Sequence, residues 1–215
     1  MLAEHPDLVV LATGGLPDRS FLDAGADLVA DTWDVLTGSL RPRGEVLVYD
    51  DHGGYPALDA VEVLAPSGAR LHFVTPERTL APDVGSMNSP AYLKVFAEHG
   101  VTTTLARRLR AVRRTADGRL AAALHSDYTG TGTELTVDHV IVEHGTLPAD
   151  ELYRELLPGS GNLGEIDHRA LLDHREQQVV RNDAGRYRLF RIGDAVASRN
   201  IHAAVYDALR LCLPV

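Results

Sequence analysis

The chain has 215 residues, 45% of them hydrophobic and 24% charged, which is ordinary globular composition at a length that suits one large domain or two small ones. With 21 Lys+Arg against 30 Asp+Glu the net charge is −9, which argues against nucleic acid or an anionic membrane as partner, because both need concentrated positive charge. Lys94 is the only lysine and Cys212 the only cysteine. A Schiff-base lysine elsewhere, an internal disulfide and a Cys-rich zinc or iron–sulfur cage within the chain are therefore excluded. No apolar run approaches the ~20 residues that span a bilayer. Residues 1–7 lack a signal peptide's basic start and apolar centre, so the expectation is a soluble, cytoplasmic protein.

The first apolar run, residues 8–12, ends at Thr13-Gly14-Gly15 and reads as a buried parallel strand. Such a strand, starting so near residue 1, predicts a neighbour from elsewhere. Residues 16–43 read as loop-rich, punctuated by Pro17, Gly38, Pro42 and Gly44. Residues 45–50 form a second strand. Gly53-Gly54-Tyr55-Pro56 turns the chain into a helix over 57–65, with Pro56 suited to a first helical turn and Leu58, Val61 and Leu64 at helical spacing. Pro66-Ser67-Gly68 stops it, and residues 70–75 are a third strand. This β–turn–α–β unit has the size of a nucleotide-binding half-fold. Ser89-Pro90 starts another helix that ends before Gly100, and residues 101–105 follow as a strand.

From Leu109 the texture changes to an antiparallel meander over 109–113, 120–124 and 135–138, separated by Asp117-Gly118 and Gly130-Thr131-Gly132. The meander runs into Val140-Ile141-Val142-Glu143-His144-Gly145-Thr146-Leu147-Pro148. That segment echoes Val9-Val10-Leu11-Ala12-Thr13-Gly14-Gly15-Leu16-Pro17: three aliphatics, two residues, Gly, one residue, Leu-Pro. Two matched strand-and-turn segments suggest two related half-folds. Residues 158–185 read as polar loop, 187–192 as a strand, and 200–211 as a final helix. Ile201, Val205, Ala208, Leu209 and Cys212 lie on one stripe of that helix, which makes Cys212 a core thiol.

Chemistry is most readable at Gly193-Asp194. A strand ends there, a carboxylate stands at its carboxyl end, and a helix opens six residues later with Ser198 or Asn200 as cap. A helix N-terminus offers free N–H groups to a pyrophosphate, and the carboxylate can accept from sugar hydroxyls. On spacing alone, a plain strand–helix turn explains Asp194 equally well. His52 beside Asp50 and Asp51 has the composition of a metal cluster, but no H-x-x-x-H accompanies it and a turn of solvated acids explains it better. No G-x-S-x-G elbow marks a Ser-His-Asp hydrolase, and no catalytic residue is assigned. The arginine-rich run 107–114 alternates as the solvated face of a meander strand does.

The order of Ala12-Thr13-Gly14-Gly15, the unit over 46–74, the meander into His144-Gly145-Thr146-Leu147-Pro148, and Ile192-Gly193-Asp194 resembles disulfide-reductase-like flavoproteins. Pro76-Glu77-Arg78-Thr79-Leu80-Ala81-Pro82-Asp83, Met87-Asn88-Ser89-Pro90 and Gly193-Asp194-Ala195-Val196-Ala197-Ser198-Arg199-Asn200-Ile201-His202 narrow the likeness. It is to the C-terminal part of Old Yellow Enzyme-type NADH:flavin oxidoreductases: 2,4-dienoyl-CoA reductase, trimethylamine and histamine dehydrogenases, and N-methylproline demethylase-like proteins.

The resemblance implies an α/β fold: a Rossmann-like domain with an antiparallel meander over residues 40–148, flanked by pieces of an FAD/ADP-type domain over 1–39 and 149–215. It implies a fragment or subunit whose partner is a barrel carrying FMN and a 4Fe-4S cluster, where substrate chemistry occurs. Thr13, Gly14 and Gly15 would form the loop between nucleotide domains. Gly193 and Asp194 would approach the FAD or ADP pyrophosphate and ribityl chain, with Ile201 and His202 close to the flavin ring. The family's first Gly-rich turn is not in the chain, so this site is expected to be half built. In the pyridine-nucleotide position the turn reads Asp50-Asp51-His52-Gly53-Gly54, where the family expects G-x-G-x-x-G. Asp50 and Asp51 would repel a pyrophosphate, with nothing basic beside them. Glu77 stands where a ribose-reading acid belongs, and Arg78 would favour a 2′-phosphate. NAD(P) binding is doubtful on this reading. The alternative is a structural or assembly domain with a degenerate nucleotide site, and an exposed half-domain would favour pairing with a second copy.

Overall fold

Two strand-and-turn segments, each passing through a glycine with positive φ, divide the chain. A computed structural model describes residues 2–213; Met1, Pro214 and Val215 lie outside the described residues. Strand β1 (Leu8–Leu11) passes through Gly14 at φ 72° into β2 (Gly15–Pro17). The echo segment passes through Gly145 at φ 69°, a conformation that costs a residue with a Cβ. Unit 1 comprises Met1–Leu16 and Gly145–Val215, and unit 2 comprises Pro17–His144.

The first crossing thus falls at 16/17, ahead of the expected 39/40. The cause lies in the segment read as loop-rich. It holds β3 (Ala30–Asp31) and α1 (Thr32–Leu36), and β3 joins the sheet of unit 2 through Ile141↔Ala30 and Val142↔Asp31. Asp31 caps α1 in a reciprocal box with Asp34, and Arg19 reaches both carboxylates at 2.6 Å.

In unit 2, β4 (Glu45–Asp50), α2 (Tyr55–Leu64), β5 (Arg70–Val74), α3 (Ser89–Glu98) and β6 (Thr102–Thr104) are followed by a meander, β7 (Arg108–Arg114), β8 (Leu120–His125) and β9 (Gly132–Val137), then β10 (His139–Glu143). The parallel sheet runs β3-β10-β4-β5-β6, and the meander pairs β7-β8-β9 antiparallel. Alternation along β4 builds three layers. Val46 and Val48 pack with Leu58, Val61 and Leu64 of α2 and with Phe96 of α3. Leu47 and Tyr49 pack with Leu109, Val112, Leu124 and Val137 of the meander. Each of these side chains contributes about 1.5–3 kcal/mol by burial. Gly68 at φ 77° follows the short turn that ends α2.

In unit 1, β11 (Thr146–Pro148) pairs with β2, and α4 (Glu151–Leu156) and α5 (His168–Leu172) precede β12 (Arg188–Arg191). β1 pairs with β12 in parallel, Val9 against Leu189. Val9, Leu11, Leu156, Tyr187 and Leu189 form the core. Buried Asn162 imitates a further strand: its Oδ1 accepts from Leu189 N at 2.8 Å and its Nδ2 donates to Leu189 O at 2.9 Å.

Helix α6 (Ile201–Cys212) presents a different face from the one expected. Ile201 is 74% exposed, Val205 55% and Leu209 46%, and Cys212 is exposed rather than a core thiol. The inward stripe runs instead through Ala204, Asp207 and Leu211, at i, i+3, i+7: Ala204 lies against Gly193, Asp207 holds its N–H, and Leu211 is buried. Apolar spacing misled here because one inward position carries a carboxylate. Among the described residues no helix is long and apolar enough to cross a membrane.

A Cβ on Gly15 would fall 2.6 Å from Thr146 Oγ1 and 2.7 Å from Leu147 O, whereas one on Gly14 would meet nothing within 4 Å. Gly15→Ala is expected to lower the unfolding free energy by about 2 kcal/mol or more. Gly14→Ala should lower it by about 1 kcal/mol, through φ alone. Equal losses in urea titrations would contradict the close pairing of β2 and β11.

Candidate functional site

Two strand ends gather the sequence-predicted residues, one in each unit. In unit 2 the turn after β4 is closed by its own side chain. Asp50 is fully buried, and its Oδ1 accepts from His52 N at 3.1 Å and Gly53 N at 2.9 Å. These are N–H groups that a dinucleotide turn would aim at a phosphate. Gly53 at φ 78° allows the turn, and Gly54 stands at the N-cap of α2 without a side-chain cap. Asp83 N donates to Gly53 O at 3.0 Å, and a Cβ on Gly53 would fall 3.1 Å from the Pro82 ring, so the segment after β5 lies over the turn.

Asp50 Oδ2 is buried with no hydrogen-bond partner. Burial pushes this carboxyl up to about 7; the two N–H groups oppose the rise, and the negative charges of Glu143 and Asp51 add to it. Glu143, opposite Asp50 in the β4–β10 register, accepts from the Thr32 hydroxyl. His52 Nδ1 lies 3.9 Å from Glu143 Oε1.

Asp51, expected to have nothing basic beside it, has two basic neighbours brought by the fold. His144 Nδ1 is 2.5 Å from its Oδ1, and Arg108 Nη1 3.7 Å from its Oδ2. The Tyr49 hydroxyl also donates to Asp51 at 3.2 Å. The bond to Asp51 raises the His144 pKa above its usual value, and the ring stacks on Phe21 at 4.3 Å. Glu77 and Arg78 are exposed beyond the end of β5; Glu77 N donates to Thr75 Oγ1 at 3.1 Å, and among the described residues neither side chain has an ion pair.

In unit 1 a groove of about 530 Å³ opens at the carboxyl ends of β1 and β12, lined by Gly14, Gly193, Asp194, Arg199, Ile201 and Val205 among others. Gly193 takes φ 61°, and Ala204 of α6 approaches to 3.2 Å of where its Cβ would be. Its N–H donates to Asp207 Oδ2 at 3.2 Å. Half-buried Asp194 accepts from Arg199 N and from the Thr146 hydroxyl, both at 3.3 Å. Asn200 caps α6 by accepting from Ala203 N at 3.0 Å. Ile201 and His202, both exposed, form the first turn of α6.

Of the sequence-predicted residues, Gly14, Gly193, Asp194 and Ile201 line one groove. Thr13 and Gly15 serve the crossing instead: the Thr13 hydroxyl donates to Ala149 O at 2.6 Å, and Gly15 makes room for Thr146. Gly53 and Gly54 stand in the closed turn. Sequence reasoning missed Arg199, Asp207 and the Asp51–His144–Arg108 group. His144 did carry a signal, since it stands immediately before the positive-φ glycine of the echo.

No protein-family model matches the chain. The chain is 49% identical over 209 residues to a probable N-methylproline demethylase of Rhizobium meliloti, covering 97% of the chain and 31% of the relative. It is 39% identical over 220 residues to an N,N-dimethylglycine/sarcosine dehydrogenase of Chromohalobacter salexigens, again covering 97% of the chain and 31% of the relative. Among solved structures, histamine dehydrogenase from Rhizobium sp. 4-9 superposes with a TM-score of 0.72 at 21% identity, covering 95% of the chain and 30% of that protein. The chain spans about a third of the length of the curated relatives it matches.

A carboxyl whose pKa rises on folding keeps its proton in the native state after the unfolded chain has released it, so native stability falls as pH rises from about 4, through about 7. Asp50→Asn removes this titration. Its unfolding free energy is expected to decline over that range by on the order of 2–4 kcal/mol less than the wild type's. Parallel profiles in urea unfolding at stepped pH would contradict the burial of a titrating Asp50.

Proposed function

Since this chain is homologous along nearly its whole length to one part of the N-methylproline demethylase-like oxidoreductases, we propose that it is the nucleotide-binding module of an NADH:flavin oxidoreductase-type N-demethylase or dehydrogenase. The module holds FAD or ADP in unit 1 and supports electron transfer rather than substrate chemistry. The observation that carries this reading is the groove where Gly14, Gly193 and Asp194 converge on the start of α6. Asp194 would accept from ribose or ribityl hydroxyls, the glycine at 14 lets backbone approach the ligand, and the start of α6 favours negative charge. A bound flavin would supply the relay that accepts and releases electrons.

NAD(P) does not fit unit 2. The N–H groups of His52 and Gly53 are held by Asp50, whose buried carboxyl occupies the place a phosphate would take, while Asp51 is already paired with His144 and Arg108. In this reading unit 2 keeps the pyridine-nucleotide fold without the ligand, and electrons go to a protein acceptor. One cysteine cannot ligate a 4Fe-4S cluster, so in this reading the cluster, and with it FMN and substrate, belong to a barrel domain or subunit outside this chain. The buried Asp50 also favours a second reading, a structural or assembly domain whose nucleotide sites have degenerated.

Calorimetric titration of the 215-residue chain with ADP, FAD and NADH separates the two. Saturable binding of ADP or FAD, weakened roughly tenfold by Asp194→Ala, with no binding of NADH, is expected. Absence of all three would leave the structural reading.

A further inference from the structure

We propose that Arg199 is the cation that reads the ligand's diphosphate in the groove of unit 1, and that Asp207 competes with the ligand for it. This deepens the nucleotide reading above and rests on it. Among the groove-lining residues Arg199 is the one cation and Asp194 the one anion. A diphosphate brings at least two negative charges, and Asp194 already faces the space it would enter. Without Arg199 the lining would be net negative.

The arginine is held in a way that lets it change partner. Its guanidinium bonds Asp207 through Nη2 and, at 3.4 Å, through Nη1; Nη2 also reaches Gly193 O at 3.4 Å. Asp207 in turn accepts the Gly193 N–H, one of the backbone donors expected to meet a phosphate. One carboxylate therefore occupies both a phosphate-type donor and the groove's cation.

Asp207 does not depend on Arg199 alone. Arg210 Nη2 lies 3.2 Å from its Oδ1, and the Arg210 guanidinium packs 4.4 Å over the Tyr206 ring. Two arginines thus serve one carboxylate, so Arg199 can leave while Asp207 stays neutralised. Exposure points the same way: the Arg199 side chain is 35% exposed and that of Asp207 13%, which places the arginine at the opening and the carboxylate behind it. A guanidinium suits a diphosphate because its planar fork donates two parallel bonds. Contrast Asp50 in unit 2, which has no arginine bonded to it among the described residues and is fully buried.

The test titrates the 215-residue chain with ADP, inorganic pyrophosphate and adenosine. Arg199→Gln is expected to weaken ADP tenfold or more while changing adenosine less than twofold, with Arg199→Lys between. Asp207→Asn frees the guanidinium and lowers the competing charge, and is expected to tighten pyrophosphate several-fold. Unchanged ADP affinity in Arg199→Gln, or equal losses for ADP and adenosine, overturns the inference and leaves the nucleotide reading standing. If neither the wild type nor Asp207→Asn binds ADP, the reading beneath it falls as well.

Discussion

Backbone N–H groups at the carboxyl end of a parallel strand, with no further strand to bond, must find an acceptor. In this chain side-chain carboxylates supply it. Asp50 takes the N–H groups of His52 and Gly53, and Asp207 takes that of Gly193. The two solutions differ in what they permit. Asp50 belongs to the strand it caps and is buried in the turn, so it cannot withdraw without dismantling the turn. Asp207 reaches in from a helix and is shared with two arginines, so one of them can part from it while the other stays.

That difference explains how one fold plan gives a closed turn in one unit and an open groove in the other. Strand β1 of unit 1 and strand β10 of unit 2 are each followed within three residues by a positive-φ glycine, Gly14 and Gly145, so the backbone plan is shared. What departs is side-chain chemistry beyond the carboxyl ends of the strands. Of the 21 Lys and Arg residues all but Lys94 are arginine, and Arg181 on Glu165 shows the fork used at an exposed position worth little in stability. In the groove the fork of Arg199 is the one we propose to meet a diphosphate.

Much of this was legible in the sequence because it is local. The continuous apolar run of β4, Pro56 before α2 and the Leu-Pro echo each carry their own signal within a few residues, and the echo marked the strands β2 and β11 that pair. The rest was not local. Asp51 meets His144 across 93 positions, which no spacing rule reveals. β3 is two residues long and joins the sheet only through β10. The face of α6 was misjudged because Asp207 interrupts the inward stripe that apolar periodicity would trace.

The most direct test follows backbone amides by NMR as ADP is added to the isotopically labelled chain. The amides of Gly193 and Arg199 should shift and saturate together while those of His52 and Gly53 stay in place. Shifts at His52 and Gly53 with none at Gly193 would contradict the account, since the ligand would then have entered the turn that Asp50 is held to close.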